Sequence, residues 1–510
     1  MVDAREYHER TNHTPERLRE MYVSPDESRR PRPYKRYVDP DREPLPGVRP
    51  PQAPTLSVVA ESHADPLSDA GGTAPPMDRE TLATLCYEAA GVVRAVEGDG
   101  ETARFRAASC TGKLYHVELY LVCGEAAGVP AGVYHFDPDA FALTRLCAGD
   151  HRGVLAAATG DQAGVAAAPV TAVATSVWWR NAWKYADRTY RHAFWDAGTV
   201  LANLVATGHA LDLRAEVVAG FADDDVVDLL GLDPDEEAPI ALAPLGRDAP
   251  TPAPTALDPI DPETEPYSES TRDHPLIREA WRASTLSDGA AVADWRARTG
   301  PIGTRPSGDG ERVPLDPVDH ETASARPLAD TVRRRRSCRE FADDPLSRRK
   351  LGTVLDRATR GVPGDWNGGA AEGLTLNDVY VLLTNVDGVP DGTYRFHPAA
   401  GELERIGDAD DETKTRLAMG QEWAGDAHVN VYCCADVEGI VDELGDRGYR
   451  LAQLEAGVVL GRLYLATYAH RRLGGTGLTF FDVEVAEHLA PHGDGQQPTT
   501  LFAMGVADDR

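Results

Sequence analysis

The chain has 510 residues, a formal net charge of −30 and 42% hydrophobic residues. That length allows roughly two to four domains, and that apolar content excludes a disordered chain. The acidic balance argues against nucleic acid or an anionic membrane as a partner held by the bulk field.

Acid runs such as "FADDDVVDLLGLDPDEE" read as a solvated surface. Lysine occurs only as Lys35, Lys113, Lys184, Lys350 and Lys414, among 52 basic residues. This composition points to a halophilic, cytoplasmic protein; a GC-rich genome favours arginine in the same way. The seven cysteines, Cys86, Cys110, Cys123, Cys147, Cys338, Cys433 and Cys434, form no CxxC pair. Neither a disulfide framework nor a metal site is expected. Cys433 and Cys434 read as buried strand residues. No apolar run approaches the about 18–20 residues of a membrane span.

Residues 1–64 are polar and Pro-rich, with no hydrophobic signal core, and read as an N-terminal arm. The rest contains a repeat of long period. "GVPAGVYHFDP" (Gly128–Pro138) returns as "GVPDGTYRFHP" (Gly388–Pro398), and "DRTYR" from Asp187 returns as "DRGYR" from Asp446. Two homologous domains are therefore expected, at 65–246 and 325–510. Residues 247–324 form a linker rich in Pro, Asp and Thr, with a short helix in "HPLIREAWRAS".

Within each copy the order is helix, strand, strand-turn, strand, long helix, strand. "VELYLVC" and "NDVYVLLTN" have strand composition. Tyr190, Phe194, Ala197, Leu201 and Leu204 recur at helical spacing. Gly198 and Gly457 sit at one register inside the two long helices, where glycine costs about 1 kcal/mol, so the helices are expected to pack closely on each other.

Four stretches carry candidate chemistry. "RRRRSCREFADDPLS" places Arg335, Ser337 and Arg339 at a helix start, a donor set for phosphate or else a solvated basic patch. "RFRAASCTGKLYHVELY" places small residues before a strand, where backbone N–H groups can approach a flat ligand; an ordinary turn gives the same pattern. "GGTGLTFFDVEV" places three glycines before a short apolar strand. "AWKYADRTYRHAFWDAG" carries Lys184-Tyr185, where the second copy has Glu443-Leu444. Arg188, Arg191 and Asp196 read either as supports for that pair or as surface ion pairs.

Together these stretches resemble the flavin-dependent nitroreductase superfamily, and within it the SagB-type (ThcOx-type) dehydrogenases. The first is similar to the R-x-S-x-R-x-F motif, and the second to R-x-x-P-S-x-G-x-L-Y-P-x-E-L-Y, with Ser109-Cys110 for Pro-Ser and His116 for the later Pro. The resemblance implies an α+β fold: two tandem nitroreductase-like domains, each a mixed, mainly antiparallel sheet flanked by helices, forming an intrachain pseudo-dimer with FMN between the halves. It implies that Arg335, Ser337 and Arg339 bind the FMN phosphate. Ser109, Cys110, Thr111 and Lys113 would line the flavin or ribityl chain, and Thr479 and Phe480 would contact the isoalloxazine. Lys184 and Tyr185 would carry the acid/base work of azoline oxidation, with Lys184 made basic by partial desolvation.

The two copies differ in a complementary way. The first has "PLSDAGG" where the second has its arginines, and the second has "GGAAEGLT" where the first has "SCTGK". One composite FMN site and one decayed site are expected. A peptide or small-molecule substrate and a cyclodehydratase partner follow from the resemblance, and a further homodimer stays open. Two other readings also stay open: an NAD(P)H-dependent nitro- or ene-reductase, and a non-catalytic flavin-binding scaffold subunit.

Overall fold

A computed structural model gives the fold and describes residues 2–21, 24–65, 75–98, 102–256, 259–302, 308–318, 326–367 and 373–508. Its strands begin with Arg42–Pro44 (β1), Val92–Glu97 (β2), Thr102–Arg106 (β3), Val117–Cys123 (β4) and Gly132–Asp137 (β5). Ala142–Ala148 (β6), Val170–Val177 (β7), Glu237–Leu245 (β8), Arg312–Pro314 (β9) and Asn377–Leu383 (β10) follow. The last five are Gly392–His397 (β11), Glu402–Gly407 (β12), Val429–Ala435 (β13), Leu473–Leu478 (β14) and Gln497–Val506 (β15). One sheet has the order β1-β6-β5-β4-β7-β8 and the other β14-β15-β13-β10-β11-β12-β9, while β2 and β3 form a separate hairpin. The strands pair antiparallel and helices cover both sheets, so the architecture is the α+β tandem that the resemblance implies.

Period-2 alternation explains why the strands are apolar throughout. In β4, Val117, Leu119, Leu121 and Cys123 face the first long helix, while Tyr120 and Val122 pack into a second cluster on the other face. In β10, Val379, Val381 and Leu383 face the second long helix, and Tyr380 and Leu382 face the other way. Cys433 and Cys434 are buried in β13.

The long helices, Thr189–Ala210 and Asp446–Ala469, lie at the centre and are buried almost all round. They cross at glycine. A Cβ on Gly198 would fall 2.3 Å from the carbonyl carbon of Gly457, and one on Gly457 would fall 2.6 Å from the Phe194 oxygen. The glycines thus permit the close approach expected of them.

Neither reading open to the sequence fits Arg188 and Arg191. Both guanidinia are buried and reach into the other half. Arg188 donates to the two oxygens of Asp482 at 2.9 and 3.1 Å, and Arg191 donates to one at 2.8 Å. The second copy returns the gesture: Arg447 and Arg450 each donate to Asp223 at 2.6 Å. Burial alone would raise the Asp482 carboxyl, but Arg188 and Arg191 outweigh it and hold the group well below the usual carboxylate range.

The arm and the linker fold into this junction. Within the helix Ala4–Thr11, Tyr7 donates to the Asp187 carbonyl at 2.7 Å, and the His8 carbonyl accepts from Arg191 at 2.6 Å. The linker helix lies at Pro275–Ala283, and its Trp281 carbonyl accepts from Arg450. One element differs from its sequence reading. The glycine stretch Leu473–Leu478 is itself a strand, and the residues after it form the helix Asp482–Leu489, whose Val485 and Leu489 recur one turn apart.

Two outcomes follow from the clamp. Asp482→Ala leaves two buried guanidinia unpaired and is expected to cost about 3–5 kcal/mol in urea unfolding. Acid acts on the same junction. Burial, reinforced by Arg188, pushes His13 down to about 3, so the folded state binds fewer protons there than the unfolded chain. Stability is expected to fall as pH drops from about 6.5, the unfolded histidine value, toward 3, read as a falling Tm.

Candidate functional site

A cavity of about 630 Å³ opens between the two halves. Its first-half wall is the loop Ala108–Lys113, the end of the helix Trp178–Tyr185, and one face of the first long helix. Its second-half wall is Arg333–Arg339 (without Cys338 and Arg334), edge strand β14, and Leu460 and Tyr464 of the second long helix. Of the residues singled out in the sequence, Lys184, Tyr185, Arg335, Ser337, Arg339, Ser109, Cys110, Thr111, Lys113 and Thr479 all line it. Phe480 does not. It is fully buried behind the wall, between Trp195 and Tyr432.

The basic stretch does not start a helix. It runs on in extended form from the C-terminus of Leu328–Arg334, because Arg335 takes φ −56 and ψ 134. Arg335 donates Nε to the Ala107 carbonyl at 3.0 Å, and Nη2 to those of Arg106 and Ala108 at 3.0 and 3.2 Å. It ties the second half to the first-half loop and keeps Nη1 out of those bonds. Ser337 and Arg339 are exposed, and Arg339 stands 5.1 Å from the Trp423 ring.

The loop is shaped by Asp196 and by left-handed backbone. Asp196 is 4% exposed. It accepts from the Thr111 N–H at 3.1 and 2.9 Å, from the Thr111 hydroxyl at 2.9 Å and from the Cys110 thiol at 3.2 Å. His116 Nε2 donates to the same carboxylate at 2.8 Å and accepts through Nδ1 from Ser176 at 2.9 Å. Burial, then Asp196, pushes the Cys110 thiol well up, so it stays a thiol. Gly112 has φ 62, and a Cβ there would lie 2.8 Å from the Tyr185 hydroxyl, so only glycine fits between loop and tyrosine.

Lys184 is exposed, with its ammonium 5.3 Å from the Tyr185 ring centroid. The partial desolvation expected of it is absent because its helix ends at the cavity mouth. Tyr185 is more deeply set, and burial, then Asp196 and Cys110, raises its phenol pKa. Its ring meets that of His192 edge-on at 4.8 Å.

Sequence reasoning missed His192, Trp195, Gln421 and Tyr464. Trp195 donates to Gln453 at 2.7 Å, and Tyr464 accepts from the Gly477 N–H at 2.6 Å. Gln421 donates to the Thr479 carbonyl at 3.1 Å. The repeat held a signal for three of them. Where one copy has His192, Trp195 and Tyr464, the other has Leu451, Leu454 and Val205.

On the other side of the pseudo-dyad the described residues pack closely. In the repeat, residues 218–220 correspond to Gly477–Thr479, and the preceding Val217 bridges to Gly364. Asp365 accepts from the Ala219 and Gly220 N–H groups at 2.9 and 3.2 Å, and Trp366 is fully buried beside it. "PLSDAGG" and most of "GGAAEGLT" (368–372) lie outside the described residues.

The nitroreductase family's sequence profile matches residues 73–247 and 332–506, and the chain belongs to that family. A protein of Methanocaldococcus jannaschii that carries a nitroreductase name is 26% identical over 172 residues, 34% of this chain and 82% of its own. A crystal structure of a protein from Anabaena variabilis, also under a nitroreductase name, superposes with a TM-score of 0.78 at 24% identity, over 99% of both chains. A chain of the E. coli microcin synthetase complex matches 34% of this chain and 64% of its own at 24% identity, with a TM-score of 0.29. Among the described residues no helix is long and apolar enough to cross a membrane.

The loop clamp gives a direct test. Asp196→Ala strands the Thr111 donors and the buried His116, and is expected to make Ser109–Lys113 a protease-sensitive segment while the long helices keep their circular dichroism.

Proposed function

We propose that the chain is an FMN-dependent oxidoreductase of the SagB type, acting on an azoline or related C–H substrate carried by a peptide or small molecule. A cyclodehydratase would supply such an azoline. The observation that carries the reading is the composition of the open cavity. Exposed phosphate-type donors come from one half, and Lys184-Tyr185 with the Ser109–Lys113 loop from the other.

The residues present fit FMN. Ser337, Arg339 and Nη1 of Arg335 offer donors at one end, a set suited to a phosphate dianion. Gly112 of the loop and Gly477 of β14 line the cavity without a side chain. When bound, FMN supplies a two-electron acceptor. The chain's own residues do the rest. Arg335 and Asp196 fix the loop from opposite sides. Tyr185, its phenol protonated at neutral pH, is a hydrogen-bond donor toward the cavity, and Lys184 places a cation over its ring. Trp195 and Phe480 close the floor against water.

Purified protein is expected to show flavin bands near roughly 370 and 450 nm, with about one FMN per chain. Arg339→Ala is expected to weaken FMN binding about tenfold to a hundredfold, the worth of one charge-assisted bond. Protein that stays colourless on addition of FMN would sink the enzymatic reading. Anaerobic bleaching by NAD(P)H but not by a thiazoline would favour a nitro- or ene-reductase instead. Lys184→Ala and Tyr185→Phe should keep the flavin bands and slow thiazoline turnover.

A further inference from the structure

We infer that Cys110, His116 and Asp196 form a binding site for a divalent ion of the zinc class at the edge of the cavity, with three protein ligands and water as the fourth. Among the described residues this is the one such group: Sγ of Cys110, a ring nitrogen of His116 and a carboxylate oxygen of Asp196 all lie within 4.8 Å of one another. Sγ is 3.2 Å and Nε2 2.8 Å from the same Asp196 Oδ2. Tetrahedral zinc, with bonds of about 2.0–2.3 Å, spaces its ligand atoms about 3.3–3.6 Å apart, so Oδ2 has to part from its two neighbours by about half an ångström.

An ion has a way in. Cys110 and Asp196 both line the large cavity, with His116 buried behind them. A second cavity of about 20 Å³, room for one water-sized group, touches the same Cys110 and Asp196. Each ligand is also held by a further partner, as metal ligands are. Cys110 Sγ accepts from the Tyr115 N–H at 2.9 Å, a bond that favours a thiolate. Asp196 Oδ1 accepts from the Thr111 hydroxyl at 2.9 Å, and His116 Nδ1 lies 2.9 Å from Ser176 Oγ.

The charges balance. On binding, Cys110 gives its thiol proton to solvent, and the imidazole hydrogen moves from Nε2 to Nδ1, where Ser176 Oγ accepts it. Thiolate and carboxylate then cancel the two charges of the ion. Asp196 gains a cation: among the described residues its ion-pair partner is a histidine, whereas Asp482 and Asp223 each hold two arginines. Sulfur, imidazole and a single carboxylate suit zinc or cobalt, and not magnesium or calcium.

A loop clamp made of hydrogen bonds explains the carboxylate but not the thiol and the imidazole. At the corresponding helix position the second copy has Glu455. It accepts from the Thr375, Leu376 and Asn377 N–H groups at 2.7, 3.0 and 3.0 Å and from the Asn377 amide at 2.9 Å. Backbone and amide donors suffice there, and Leu376 stands where the first copy has His116. Cys110 and His116 are both departures from the motif their loop resembles, and the two departures meet on Asp196. No spacing rule exposes the set, because Asp196 lies 80 residues beyond His116.

The test uses reduced, chelator-stripped full-length protein, with Co²⁺ and Zn²⁺ as probes. Co²⁺ is expected to bind at about one ion per chain with the intense d–d bands of a tetrahedral site, read to the red of the flavin absorption, and Zn²⁺ to displace it. X-ray absorption of the zinc-loaded protein is expected to show one sulfur at about 2.3 Å and lighter ligands at about 2.0–2.1 Å. Cys110→Ser, which keeps a hydroxyl for Asp196, and His116→Gln are each expected to weaken binding by about a hundredfold or more, beyond the worth of an outer-shell partner. Zn²⁺ is expected to protect the Ser109–Lys113 loop from protease in the wild type and not in Cys110→Ser. A metal shell without sulfur overturns the site, as does a wild type that binds neither ion. Binding that persists at wild-type strength in both folded variants assigns the ion to other side chains and overturns it too. None of these readouts uses turnover, so the outcome is independent of the dehydrogenase reading.

Discussion

Everything in this molecule depends on the contact between Gly198 and Gly457. With no side chain on either, two buried helices come within backbone contact, and the residues at their starts can reach across the junction. Arg188 and Arg191 then find Asp482, and Arg447 and Arg450 find Asp223. These four arginines bury their charge only because the carboxylate is supplied by the opposite half. The reciprocal clamps thus specify one registry between the domains. A slipped helix pair would leave guanidinia unpaired in a dry interface.

That registry creates two pseudo-equivalent crevices, and fusion of the halves in one chain lets them diverge. At one, β14 ends at a cavity whose wall is assembled from both domains. At the other, Asp365 places its carboxylate on the Ala219 and Gly220 N–H groups, and Trp366 fills the space behind. The filled crevice shows what such backbone donors hold: an acceptor oxygen at hydrogen-bond distance. A two-chain homodimer could not differ in this way, since each change would appear in both crevices.

Much of this was legible in the sequence because it rested on local rules. The repeat gave two domains, the glycine register gave the helix crossing, and the Arg/Ser and small-residue stretches met at one cavity. What escaped had three causes. The hairpin β2–β3 and the glycine-rich strand β14 lack a clean period, and their pairing is set by tertiary contact, which overrides weak propensity. The ion pairs of "DR-x-YR" join residues 291 or more apart on the Asp482 side, and no spacing rule reaches that far. His192 stands outside the apolar stripe of its helix, and only its contrast with Leu451 in the other copy marks it.

The two sides of the junction also differ in how much they bury. An open cavity lined by exposed cations buries little apolar area and leaves donors unpaired, so that side contributes less to holding the halves together. The filled side contributes more. Arg447 and Arg450 share Asp223, and Arg296 adds a bond to Asp365 at 3.0 Å. Trp281 and Trp295 of the linker pack into the same core as Trp366. Across the pseudo-dyad Asp482 pairs in the same way with Arg188 and Arg191, at the start of the helix that bears His192 and Asp196. The two clamps thus anchor, from both sides of the junction, the helix from which Asp196 projects.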